Sequence, residues 1–173
     1  LEPLKVEARR HATVVGGGVA GLKAAQDLAQ RGFQVALIEK SAFLGGRAAA
    51  LDRVAPTGEP AADLLSQLVG EVVNQSAVEV YTHSQVVGFG GYVGNFNLTV
   101  RTAAAGSAEN HSAARPRDGS EMRAGGYIPF AGYFPGHPPE TPVEFSLETG
   151  VVILATGFKP YARDQEILAR PWA

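Results

Sequence analysis

Three glycines carry the most specific chemical signal in this sequence. Gly16, Gly18 and Gly21 stand in the spacing GxGxxG inside HATVVGGGVAGLKAAQDLAQRGFQVALIEK, residues 11 to 40. The first permits a tight turn, the second removes a side chain where a pyrophosphate would approach the backbone, and the third lets the following helix pack closely. The N–H groups and positive dipole end of that helix favour phosphate. Glu39 ends the next apolar run, where an acid accepts hydrogen bonds from an adenosine ribose. Gly45-Gly46-Arg47 follows, joining bare backbone to a guanidinium, both suited to folding back over phosphate. Thr156 and Gly157 come just after the apolar run Val151 to Leu154. Such small residues leave room for a cofactor against the backbone. The competing readings are a ligand-free glycine loop and an ordinary turn with a surface arginine.

These residues need a frame. Ala12 to Val15 reads as a buried parallel strand. Leu22, Ala25, Leu28 and Ala29 give the next segment an apolar stripe at helical spacing, and Gly32 falls where a left-handed cap belongs. Phe33, Val35, Leu37 and Ile38 form a second strand. Ala48 to Leu51 starts a short helix, and Pro56 to Pro60 is a turn cluster. Ala61 to Gln75 reads as an amphipathic helix burying Leu64, Leu65, Leu68, Val72 and Val73. Val78 to Tyr81 alternates as a strand. Val86 to Phe89, a turn over Gly90 to Asn95, and Phe96 to Arg101 read as a hairpin, with Gly94-Asn95 tolerant of positive φ. Val143 to Leu147 is expected to pair with Thr149 to Leu154 as a final hairpin. Residues 1 to 10 read as a solvated lead-in. Residues 102 to 142 read as a loop-rich insertion, glycine-rich at first and aromatic and proline-rich over Tyr127 to Pro139. The latter is read as a loop packed on its own domain or as a cover for a partner. Gln165 to Arg170 reads as a short helix. The expected fold class is α/β: a single domain over residues 1 to 173, Rossmann-type, with a parallel sheet and a small antiparallel β element.

Composition narrows the function classes. At 173 residues and 45% hydrophobic, the chain can bury a core. A net charge of −2 argues against nucleic acid as a partner. No apolar run is long enough for a transmembrane segment, and the polar start LEPLKVEARR gives no secretory signal, so a cytoplasmic location is expected. The absence of cysteine excludes a cysteine nucleophile, a dithiol and thiolate-held clusters within these residues. His11, His83, His111 and His137 lack ligand spacing, so no metal is expected. No catalytic side chain is identifiable, and no Ser–His–Asp set stands out.

With VVGGGVAGLKAAQDLAQRGFQVALIEK, LGGR and VVILATGF in place, the chain resembles the two-dinucleotide-fold flavoproteins. GGRAAALDRVAPTGEP, AVEVYTHSQVVGFGGYVGNFNLTVR, GGYIPF and ILATGFKPY, in that order, narrow the resemblance to the A-type subunits of heterodisulfide reductase. The flavin subunits of the quinone-interacting, membrane-associated oxidoreductase complex look similar. The resemblance covers most of residues 12 to 161. It implies FAD. Gly16, Gly18, Val19, Ala20 and Gly21 would hold the pyrophosphate, Glu39 the ribose, and Gly46 and Arg47 would cover the phosphates. Lys40 and the backbone of Val86 would lie at the adenine, and Thr156 and Gly157 beside the ADP–ribitol half. Implied partners are iron–sulfur or quinone-linked subunits of a redox complex, which allow peripheral membrane association at the inner face. Two departures qualify the resemblance. The family's cluster cysteines are missing from Pro56 to Leu65 and from Thr102 to Pro142. A later Gly-Asp strand and a second GxGxxG are also missing, as expected of a fragment or of a subunit completed by another chain. The alternatives are a plain NAD-binding domain and a non-catalytic flavoprotein-fold subunit.

Overall fold

A computed structural model describes residues 9–104 and 141–158. The central sheet is built from β1 (His11–Val15), β2 (Gln34–Ile38), β5 (Val78–Tyr81) and β9 (Val151–Leu154). All four run parallel, in the order β5-β2-β1-β9. The helix α1 (Val19–Gln30) joins β1 to β2, and α2 (Ala61–Val73) precedes β5. Alternation along β1 sends Ala12 and Val14 toward the helices, where they pack with Leu22, Ala25, Val35, Leu37, Val69 and Val72. The apolar stripe of α1 packs as expected. In α2 the buried face is Ala61, Leu65, Val69 and Val72, so Val69 joins it and Leu64 is only half-buried. Helix α2 also stops at Val73, short of the expected Gln75.

Gly32 ends α1 as read, with φ +82°. Its N–H donates to the Ala29 carbonyl and the Phe33 N–H to the Leu28 carbonyl, the paired bonds of a Schellman cap.

A second, antiparallel sheet contains β6 (Ser84–Tyr92), β7 (Asn95–Thr102) and β8 (Val143–Thr149), in that order. It lies on the other face of the parallel sheet. Val86, Val100, Phe145 and Leu147 pack there against Ala36, Ile38 and Tyr81. The first hairpin is longer than its sequence reading: both strands run on to a two-residue turn at Val93-Gly94, and a bulge falls between Val86 and Gly88. Gly94 has φ +89°, whereas Asn95 is already in the strand.

The expected final hairpin does not form. Strand β8 pairs with β7, and β9 pairs in parallel with β1, so the two lie in different sheets. One residue, Gly150, separates them, fewer than the two that the tightest hairpin loop needs. Gly150 is instead a corner whose N–H donates to the His11 carbonyl at 2.8 Å. Two further differences are local. Gly46–Ala50 is a 3-10 turn rather than a helix over Ala48 to Leu51. The turn cluster is framed by a small hairpin, β3 (Arg53–Val54) with β4 (Glu59–Pro60). The lead-in through residue 8, the insertion between 105 and 140 with its aromatic segment, and the Gln165 to Arg170 helix lie outside the described residues.

Burial sets the side-chain electrostatics at the join of the sheets. It lowers the His11 imidazole below its ordinary range, with Glu79 partly opposing, and it lowers His83. Burial, then a hydrogen bond from the hydroxyl to Glu79 Oε2 at 2.6 Å, push the Tyr81 phenol up to about 12.

Candidate functional site

The glycine loop sits at the carboxyl ends of the parallel strands, between β1 and α1. Gly16 and Gly21 are required by the protein itself. Gly16 has φ +113°, and a Cβ there would stand 2.3 Å from the Ala155 carbonyl oxygen. A Cβ on Gly21 would meet the Gly16 carbonyl oxygen at 1.8 Å. Gly17, not singled out from the sequence, is less confined: its Cβ would lie 2.6 Å from Leu44 Cδ2, the movable end of a side chain.

Gly18 differs. Its φ of −75° and ψ of 179° suit any residue, and a Cβ there would meet nothing within 4 Å. Neither space nor backbone conformation requires glycine at this position, whereas a ligand pressed against the backbone would. Gly18 is also the N-cap of α1, with no side-chain cap and no acid in the first turn. The N–H groups of Val19, Ala20 and Gly21 therefore have no acceptor within the helix. Val19 and Ala20 are exposed, so this electropositive end is open to an anion.

Glu39 is buried and engaged on both oxygens. Oε2 accepts the Gly17 N–H at 2.6 Å, and Oε1 accepts the Ser41 N–H and hydroxyl, each at 2.7 Å. The acid thus shapes the glycine loop as well as lying beside it. A carboxylate has about four lone-pair sites, so one remains for a ribose hydroxyl. Ser41 and Gly17 were missed in the sequence. The local signal for Ser41 is a hydroxyl two residues after an acid.

The Gly45-Gly46-Arg47 strap closes onto the loop. The Gly45 N–H donates to the Gly17 carbonyl at 2.8 Å, and Gly45 bridges Gly18. Gly45 and Gly46 have φ +106° and +56°, and a Cβ on Gly46 would press on Gly18 Cα at 3.0 Å. Arg47 is exposed. Its Nε donates to the Phe158 carbonyl at 3.0 Å, and its guanidinium lies 5.0 Å from the centre of the Phe158 ring. On the β9 side, the Ala155 N–H bonds to the Val15 carbonyl, which brings the exposed Thr156 and Gly157 up beside the loop. Lys40 is exposed one residue past Glu39. Val86 lies in the second sheet, on an edge strand. The Ser84 N–H of that strand donates to the Glu39 carbonyl at 2.9 Å, which ties its start to the site. Among the described residues no group of His, Asp or Glu is arranged to hold a metal ion.

An uncapped helix N-terminus behind a glycine turn, with an acid at the end of the neighbouring strand, defines a nucleotide-binding Rossmann-like domain. Residues 14–72 match the NAD(P)-binding Rossmann-like domain family. The second iron–sulfur A subunit of the CoB–CoM heterodisulfide reductase of Methanopyrus kandleri is 42% identical over 100 residues, 58% of this chain and 15% of that protein. The A subunit of the H2:CoB–CoM heterodisulfide, ferredoxin reductase of Methanothermobacter marburgensis is 30% identical over 203 residues, 93% of this chain and 31% of that protein. The chain is similar to proteins of the heterodisulfide reductase A type, and it spans a third or less of the length of these two relatives. Among solved structures, L-proline dehydrogenase from P. horikoshii aligns over 55% of this chain and 19% of that one, with 26% identity and a TM-score of 0.46. Histamine dehydrogenase from Rhizobium sp. 4-9 aligns over 49% and 13%, with 31% identity and a TM-score of 0.40.

Proposed function

We propose that this chain binds FAD and forms the nucleotide-holding part of a flavin-dependent oxidoreductase subunit of the heterodisulfide reductase A type. The observation that carries this is Gly18, a glycine the fold does not need, placed at an open, uncapped helix end. The residues fit the group. The N–H groups of Val19, Ala20 and Gly21 face the diphosphate, Glu39 keeps one lone pair for the ribose, and Lys40 and the edge of β6 at Val86 border the adenine. The strap at Gly46 and Arg47 covers the diphosphate, and Thr156 and Gly157 line its other side. Bound FAD supplies the redox chemistry, while the protein supplies position and electrostatics. Electrons then pass to iron–sulfur or quinone-linked partner subunits; the 173 residues themselves contain no cysteine to hold a cluster. No helix among the described residues is long and apolar enough to cross a membrane. The test is release of the cofactor from purified protein, followed by its absorbance spectrum. FAD at one per chain is expected; a colourless protein that binds NAD but not FAD contradicts the proposal.

A non-catalytic flavoprotein-fold subunit is favoured by one observation, the missing cysteines. Turnover of the assembled complex with an artificial electron acceptor separates the two readings.

A further inference from the structure

We propose that Phe158 is a positioning residue for Arg47, making the pair a latch over the diphosphate of the bound nucleotide. The inference rests on the nucleotide reading above. The two residues come from the two segments that flank the glycine loop: Arg47 follows the strap bridged to Gly18, and Phe158 follows the arm whose Ala155 packs on Gly16. They lie 111 positions apart in sequence, yet the Arg47 Nε donates to the Phe158 carbonyl and its guanidinium sits over the Phe158 ring. Phe158 is 72% exposed, so its ring contributes little to the core and its clearest role is this contact. A guanidinium has five N–H donors in a rigid fork. The carbonyl takes Nε and the ring takes one face. Among the described residues no acceptor engages the four remaining N–H groups. Those point from the end of the fork, the edge that meets phosphate oxygens in pairs. A fork already held by a ring and a carbonyl loses less side-chain freedom when it engages phosphate. Phe158 therefore acts on how long the nucleotide stays, through Arg47, without touching it.

The test measures release rates of FAD and of ADP from the intact protein by stopped flow. Phe158→Ala removes the ring and keeps the carbonyl. It is expected to speed release of both nucleotides by roughly three- to tenfold, with an unchanged melting temperature. Phe158→Trp restores slow release, because indole is the better face for a cation. Arg47→Ala speeds release by itself, and adding Phe158→Ala to it has no further effect. If Phe158→Ala leaves release unchanged, or adds its full effect in the Arg47→Ala background, the latch is overturned and the nucleotide reading stands. If the wild-type protein binds neither FAD nor ADP, the nucleotide reading fails and the latch with it.

Discussion

Gly16 and Gly18 are the same residue type two positions apart, and the structure separates their roles. Gly16→Ala places a methyl on the Ala155 carbonyl in a backbone conformation that L-residues avoid. It is expected to cost about 1–3 kcal/mol of stability or more, read in chemical denaturation. Gly18→Ala points its methyl into open space and should lower stability by about 1 kcal/mol at most, since alanine is a poorer N-cap. In the proposed binding mode the same methyl stands where the diphosphate approaches, so FAD affinity should fall at least tenfold in a titration. Equal loss of stability in both variants would contradict this division. Glu39 carries both roles at once. Glu39→Ala leaves the Gly17 and Ser41 N–H groups without their acceptor, costing about 1–3 kcal/mol of stability, and it weakens FAD by about 1–3 kcal/mol through the lost ribose bond. Loss of affinity without loss of stability would mean that the acid does not hold the loop.

Helix α1 shows the same division between fold and ligand at the scale of an element. Its N-terminus has no acid and no cap, a defect that a bound anion corrects. Ala20→Asp supplies the missing charge within the protein. The unliganded protein should then gain about 0.3–1 kcal/mol, while FAD binding weakens through repulsion of the diphosphate. A thermal melt and a binding titration should move in opposite directions; movement together would contradict the account. The join between the two sheets makes a pH prediction. His11 and His83 titrate below 6.5 when folded, so the unfolded chain takes up more protons as pH falls through that value. Their contribution to stability is present above about pH 6.5 and is lost as pH falls toward the depressed folded values. His11→Gln should flatten the slope of stability against pH between about 7 and 5; an unchanged slope would assign it to other groups. At this scale the sequence was legible where a pattern is local. The stripe of α1, its Gly32 cap and the alternation of β5 all formed where they were read. The pairing of β8 and β9 was not legible, because the partner of an apolar run is set by long-range burial. Val151–Leu154 found β1, far upstream in the chain, where adjacency in sequence pointed to β8. Arg47 was singled out in the sequence by the glycines before it, but nothing local announces its contact with Phe158.

For the whole molecule, the parallel sheet brings three distant segments to one end: the glycine loop, the strap at Gly45 to Arg47, and the arm at Thr156 to Phe158. The spacing GxGxxG and Glu39 marked the site in the sequence, and the fold converges on it. The order of the strands, not any one motif, puts β9 beside β1 and so places the last segment there. Leu154, at the end of β9, is 76% exposed. The central claim is that Gly18 is glycine for the sake of a dinucleotide, and that the dinucleotide is FAD. The most direct measurement is calorimetric titration of the wild-type and Gly18→Ala proteins with FAD and with NAD, alongside their circular dichroism. The account predicts one FAD per wild-type chain, weaker binding of NAD, and a folded Gly18→Ala protein that has lost FAD. Undiminished FAD affinity in a folded Gly18→Ala protein, or binding of NAD in place of FAD, would contradict it.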